Sequence, residues 1–220
     1  MVVNGIQLAL LEVGAFGILS HTLRNVYWDT LQTIPVISYY WFMFTILTGI
    51  WESVFVMNYS TIVEQAKLYI LQKQHTWTNR FKLSYLLPWK FSGVFYAEYG
   101  AWADREYMTR SNRWSRLIES SHALCCGIFS FLTIYYAINQ HTSKYYISAS
   151  IAMGTQFMNS ILYLGNYCIQ TKDLHNVNYN QSSFPVGPFW LRRPFMLINI
   201  LWFLMPFCIL LNFYVSTSVY

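Results

Sequence analysis

Four long apolar stretches set the terms for this chain: residues 33–57, 114–138, 145–170 and 194–216. Each is long enough to cross a bilayer, which takes about 20 mainly apolar residues in a helix. A fifth stretch, near 5–23, is interrupted by Gln7, Glu12 and His21 and is the weakest candidate. Only 10% of the residues are charged, against about 25% in a soluble domain, so the chain lacks the charges to clothe a water-exposed surface. The aromatic share of 20% points the same way, because Tyr and Trp favour the membrane boundary. Strands are not expected, since an open sheet edge leaves backbone groups unpaired in lipid. The expectation is an all-α, multi-pass membrane protein of about five transmembrane helices, forming one domain over residues 1–220.

Residues 58–112 form the longest connector. It carries Lys67, Lys73, Arg80, Lys82, Lys90, Arg105 and Arg110 among many aromatics, which suits short helices lying in the interface; a re-entrant excursion is the alternative. With five spans, 58–112 and 171–193 share a face with the N-terminus, and the opposite face has Arg24 and Lys144. The positive-inside rule then puts the basic face in the cytosol, or in the matrix of a mitochondrion. The endoplasmic reticulum is the expected membrane, with the mitochondrial inner membrane as the alternative. The sequons at Asn58 and Asn180 lie on the basic face and are expected to be unmodified. The N-terminal residues lack a basic n-region and a cleavage site, so the first spanning helix is expected to direct insertion. Cys125, Cys126, Cys168 and Cys208 fall inside apolar segments and form neither a disulfide framework nor a metal motif. The net charge of +5 is spread along loops and makes no nucleic-acid stripe.

Ionisable groups inside a spanning helix are costly and usually face the bundle interior. Glu52 lies five residues before the second helix leaves the basic face. Glu119 and Asn199 each lie six residues after their helices enter from it, following Arg113 and Arg193. At 1.5 Å per residue, all three sit roughly 8–9 Å in from the boundary. On the fourth helix Gln156, Asn159, Tyr163 and Asn166 fall on one face. Glu119, His122 and Cys126 do so on the third, and Asn199, Trp202 and Pro206 on the fifth. Pro206 also denies the Trp202 carbonyl its helix bond, which offers a free acceptor to the same space. In one reading these groups are interhelical hydrogen bonds that lock the bundle, Glu119 pairing with Arg116. In the other they line a pocket, and two carboxylates at one depth favour that reading. A metal held by Glu52, Glu119 and His122 is disfavoured, because catalytic zinc sites typically bring more His or Cys. There is no phosphate loop, H-E-x-x-H or G-x-S-x-G, and no cofactor is expected.

The run from Glu98 to Tyr107 (EYGAWADREY), followed by Glu119 and Gly127, resembles the emopamil-binding (EXPERA) family, whose E-Y-x-K-x-D-x-R-Y/W run precedes a helix with an inward Glu. Trp41-Phe42 followed by Glu52, Gln156 with Leu162-Tyr163, and Asn199-Ile200-Leu201-Trp202 with Pro206 resemble its other helices, in order, over residues 35–215. The resemblance implies a five-helix bundle with a lipophilic cavity and sterol Δ8–Δ7 isomerase chemistry. It implies Glu52 and Glu119 as the acid/base pair, Asn199 as the group holding a carboxylate, and Trp202 as the ring facing a cationic intermediate. Thr48, His122, Gln156, Asn159 and Tyr163 would contact the ligand. Thr48 stands where the active isomerases carry a His, and a hydroxyl cannot shuttle a proton near neutral pH as imidazole does. Ile128 replaces the Pro after the third-helix Gly, the Glu98-to-Asp104 spacing is one residue longer, and no Lys-rich C-terminal tail is present. The leading expectation is therefore a membrane protein that binds a sterol-like or other hydrophobic ligand. A working isomerase is the second reading. The third is a structural subunit of a larger membrane complex. Membrane lipid and the hydrophobic ligand are the expected partners, with a homodimer or a membrane complex as the assembly.

Overall fold

The structure is a computed structural model that describes residues 2–103, 113–170 and 194–217, without the side chains of 113–116, 119, 166–170, 194–196 and 216–217. It is an all-α bundle. Helix α1 (Gly5–Val26) is followed by the one-turn α2 (Trp28–Leu31) and by α3 (Val36–Met57). The connector contributes α4 (Tyr59–Gln72) and α5 (Pro88–Glu98), the latter running into a π-helical turn at Tyr99–Ala103. Three long helices complete the chain: α6 (Arg113–Ile138), α7 (Thr142–Gln170) and α8 (Pro194–Thr217). They pack in the order α3–α6–α7–α8, and α8 also meets α3.

Helices α1 and α3, and the Ser120–Ile138 and Leu197–Val215 parts of α6 and α8, are long and apolar enough to cross a membrane. At 22 residues, α1 and α3 are each about 33 Å long. Helix α7 is longer, but Ser148, Ser150, Gln156, Asn159 and Ser160 break its apolar run. Its position between α6 and α8 explains this: Ser148 meets Thr133 of α6, and Ser160 meets the backbone of α8. Among the described residues four helices are thus apolar enough to span, and α7 carries the polar Ser148, Gln156 and Ser160 where protein covers it.

Each polar residue that interrupts α1 has a partner. Gln7 closes a capping box with Asn4, each side chain bonding the other's backbone N–H. Such a box satisfies two donors that the first turn of a helix would otherwise leave open. Glu12 is 4% exposed and accepts the Trp51 indole N–H at 3.4 Å. His21 lies 2.9 Å from the Tyr40 hydroxyl. Further along, Tyr39 donates to the Ser20 carbonyl at 2.7 Å. Arg24 is buried with its guanidinium 4.9 Å from the Tyr39 ring, and donates to the Ile34 carbonyl at 3.1 Å. The pairs 12–51, 20–39 and 24–34 run in opposite senses, so α1 and α3 form an antiparallel hairpin.

One strand pair forms where none was expected. Val2–Asn4 (β1) pairs antiparallel with Arg80–Lys82 (β2). The ribbon lies beyond the first residue of α1, so its edges need no partner in hydrocarbon. It places the N-terminus and the connector on one face, as the count of spans between them implies. Gly5 seals the junction, because a Cβ there would overlap the Thr76 carbonyl. Glu98, 5% exposed, accepts the Thr76 backbone N–H and pairs with His75, both at 2.8 Å. The connector does not simply lie on the surface: Ser92 Oγ donates to the Trp51 carbonyl at 2.5 Å, and Tyr96 stacks on Phe55 at 4.7 Å. α5 therefore runs beside the last two turns of α3, in the manner of a re-entrant segment.

Candidate functional site

Helix α3 organises the site. Trp41, Phe44, Thr48 and Glu52 recur at i, i+3, i+7 and i+11, so they share one face. The stripe is about 16 Å long. Its neighbouring face meets α6 through Gly49. A Cβ at Gly49 would lie 3.0 Å from the Ala123 carbonyl oxygen and 3.1 Å from Gly127 Cα. The Ala123-x-x-x-Gly127 spacing is the small-residue pattern by which membrane helices approach closely. Gly127 meets the backbone of Thr45 and Ile46, so the two helices are antiparallel. One turn toward the basic face, this register sets Glu52 against the backbone level of Glu119. The Glu52 carboxylate is within electrostatic reach of the Cys126 thiol. Cys126 is itself bonded to the Ala152 carbonyl at 3.4 Å.

At the deep end of the stripe three aromatic rings assemble. Trp202 packs on Trp41 at 4.9 Å between centroids and stacks on Phe44 at 5.5 Å. Helix α7 holds both tryptophans, Trp41 by its ring and Trp202 by its backbone. Gln156 Oε1 accepts the Trp41 indole N–H at 2.8 Å. Ser160 Oγ lies 2.9 Å from the Trp202 carbonyl, the acceptor that Pro206 leaves without a helix donor. Ser160 Oγ is equally 2.9 Å from the Gln156 carbonyl of its own helix, so its one proton is shared between that acceptor and the Trp202 carbonyl.

The residues named from sequence fall in two groups along α3. Trp202 and Gln156 are at Trp41 and Phe44, eight residues or more from Glu52, which is about 12 Å along the helix. Trp202 thus lies deeper along the bundle than the level of the Glu52 carboxylate. Thr48 lies between the two groups, with its hydroxyl within 3.2 Å of the Phe44 and Thr45 carbonyls of its own helix. Tyr163 is at the basic-face end, its hydroxyl 3.5 Å from that of Tyr99 in the π-turn. Glu52, His122, Asn159 and Asn199 are half-buried and each has a partner in the structure. The Glu119 and Arg116 side chains, Asn166, Asn180, and the Asp104–Tyr107 part of the family-like run lie outside the described residues. No group of three or more metal-ligating side chains occurs among the described residues. Sequence reasoning missed the Gly49–Gly127 contact, for which the small-residue spacing was a signal, and the burial of Glu12, for which its place inside a spanning helix was one.

Fold and site together define an all-α, multi-pass membrane protein with a polar and aromatic stripe inside its bundle. The chain matches no protein-family model, and no characterised protein or solved structure is significantly similar to it.

Proposed function

We propose that this is an emopamil-binding-type membrane protein that holds a sterol-like or other elongated hydrophobic ligand along the α3 stripe. The observation that carries the reading is the order of groups on that stripe. An aromatic cluster held by Gln156 and Ser160 lies at its deep end, and a carboxylate one to two turns from the basic face lies at the other. A rigid hydrophobe with one polar or cationic end matches such an order: rings attract apolar and cationic groups, and Glu52 attracts a cation. The α5 helix and π-turn cover the basic-face end, so the ligand enters from the bilayer.

The ligand is bound rather than isomerised. Double-bond migration needs a proton delivered and another removed, and positioned proton transfer is worth about 10²–10⁴-fold. The Thr48 hydroxyl is directed to carbonyls of its own helix, where the active isomerases have an imidazole. The endoplasmic reticulum is the membrane that goes with this reading.

Binding of a radiolabelled sterol-like amine to the purified protein is the test, with Glu52→Gln and Trp202→Ala as variants. Saturable binding that both variants weaken at least tenfold is expected. Absence of binding, or binding indifferent to both, defeats the proposal. Growth rescue of a strain lacking its own Δ8–Δ7 isomerase, abolished by Glu119→Gln, would instead establish an enzyme.

A further inference from the structure

From Gln65 to Ala97 the chain has five basic residues, Lys67, Lys73, Arg80, Lys82 and Lys90, and no acidic one. The whole chain's net charge is 14 − 9 = +5, so this segment alone, the middle of the connector, carries a charge equal to the total. The fold concentrates part of that charge on one surface. In the β1–β2 ribbon Val3 and Phe81 are paired and turn inward to the core. Val2 with Lys82, and Asn4 with Arg80, are the flanking pairs, and strand alternation sends them outward. Arg80, Lys82 and Lys90 are exposed. So are Leu83 at 36%, Leu87 at 39% and Trp89 at 55%.

We propose that this outer face of the connector, from Arg80 to Lys90, docks the headgroups of acidic phospholipids in the leaflet on the N-terminal side. Two features select a lipid over a free anion. Arg80 and Lys82 lie beyond the first residue of a spanning helix, at headgroup level, and Lys90 stands exposed at the start of α5 next to them in the chain. The exposed Leu and Trp side chains interleaved with them suit acyl chains, which a solution anion lacks. The surface is also preorganised: the ribbon, the Asn4 capping box and the packing of Gly5 on Thr76 hold Arg80 and Lys82 in place before any lipid arrives. The opposite end of the bundle has no counterpart among the described residues, for Arg24 is buried there and exposed Asp29 offsets exposed Lys144. The inference is independent of the pocket and of what occupies it.

The test is native mass spectrometry of the full chain in a mild detergent, supplied with equal amounts of phosphatidylserine and phosphatidylcholine. A basic side chain near an acidic surface contributes about fivefold. We expect at least a tenfold excess of retained phosphatidylserine, lost in Arg80→Gln/Lys82→Gln/Lys90→Gln. Equal retention of the two lipids by the unaltered protein overturns the proposal, and so does an excess that survives in the folded triple variant. If the variant fails to fold, the unaltered protein still decides. Its phosphatidylserine excess must fall as ammonium acetate is raised, because salt screens exposed charge, and an excess indifferent to salt overturns the proposal.

Discussion

Replacing Gly49 tests whether close approach of α3 and α6 holds the site together. A Cβ there would sit 3.0 Å from the Ala123 carbonyl oxygen and 3.1 Å from Gly127 Cα. Non-bonded carbons settle at about 3.5–4.0 Å, so the helices must part by roughly 0.5–1 Å at that level. The neighbours are backbone atoms and cannot rotate aside. Forced overpacking costs about 1–3 kcal/mol. Gly49→Ala belongs at the low end and Gly49→Val, with two further carbons, at the high end. Gly17→Ala on α1 is the control, since nothing lies within 4 Å of a Cβ there, and its effect should stay within about 0.5 kcal/mol. Unfolding midpoints in mixed micelles of SDS and a mild detergent, followed by tryptophan fluorescence, report the differences. Gly49→Val as stable as the unaltered protein, or Gly17→Ala equally damaging, would refute the reasoning. Glu52 lies one turn from Gly49, so the same variant should weaken ligand binding while the protein is still folded.

Ser160→Ala removes the donor to the part-buried Trp202 carbonyl and should destabilise by about 0.5–1.5 kcal/mol, the net worth of one hydrogen bond. In a Pro206→Ala background, where residue 206 regains its N–H, the same change should be nearly neutral, and a double-mutant cycle measures the difference. Asn58, exposed at the end of α3, should carry no glycan when the protein is made in animal cells. A mobility shift on glycosidase treatment that Asn58→Gln abolishes would reverse the orientation.

The long apolar helices were legible because hydrophobic length is a property of the chain alone. So was the shared face of the N-terminus and connector, which follows from the two spans between them. The α1 span was read as weak because Gln7, Glu12 and His21 were judged without their partners. Asn4 could be found nearby, but Trp51 and Tyr40 come from another helix, which only tertiary packing supplies. The ribbon was missed because three-residue strands are too short to show alternation. Pro206 correctly marked a carbonyl without a helix donor, yet nothing in the local sequence says that Ser160 would reach it.

Trp51 and Glu52 are adjacent in sequence and divide the molecule between them. Consecutive residues on a helix point about 100° apart. Trp51 is tied on its side: its indole N–H goes to Glu12 of α1, its carbonyl receives Ser92 of α5, and its ring packs on Phe91 and Phe95 at 5.1 and 5.6 Å. That side is saturated with partners from two elements and serves to fasten α1 and the connector to the bundle. Glu52 turns instead toward α6 and continues the line of Trp41, Phe44 and Thr48. A membrane helix that needed only to be anchored would gain nothing from a second carboxylate at the same depth, given that Glu12 already receives the Trp51 indole there. The two acids thus have different work: Glu12 belongs to the scaffold, and Glu52 to the stripe on which we place the ligand.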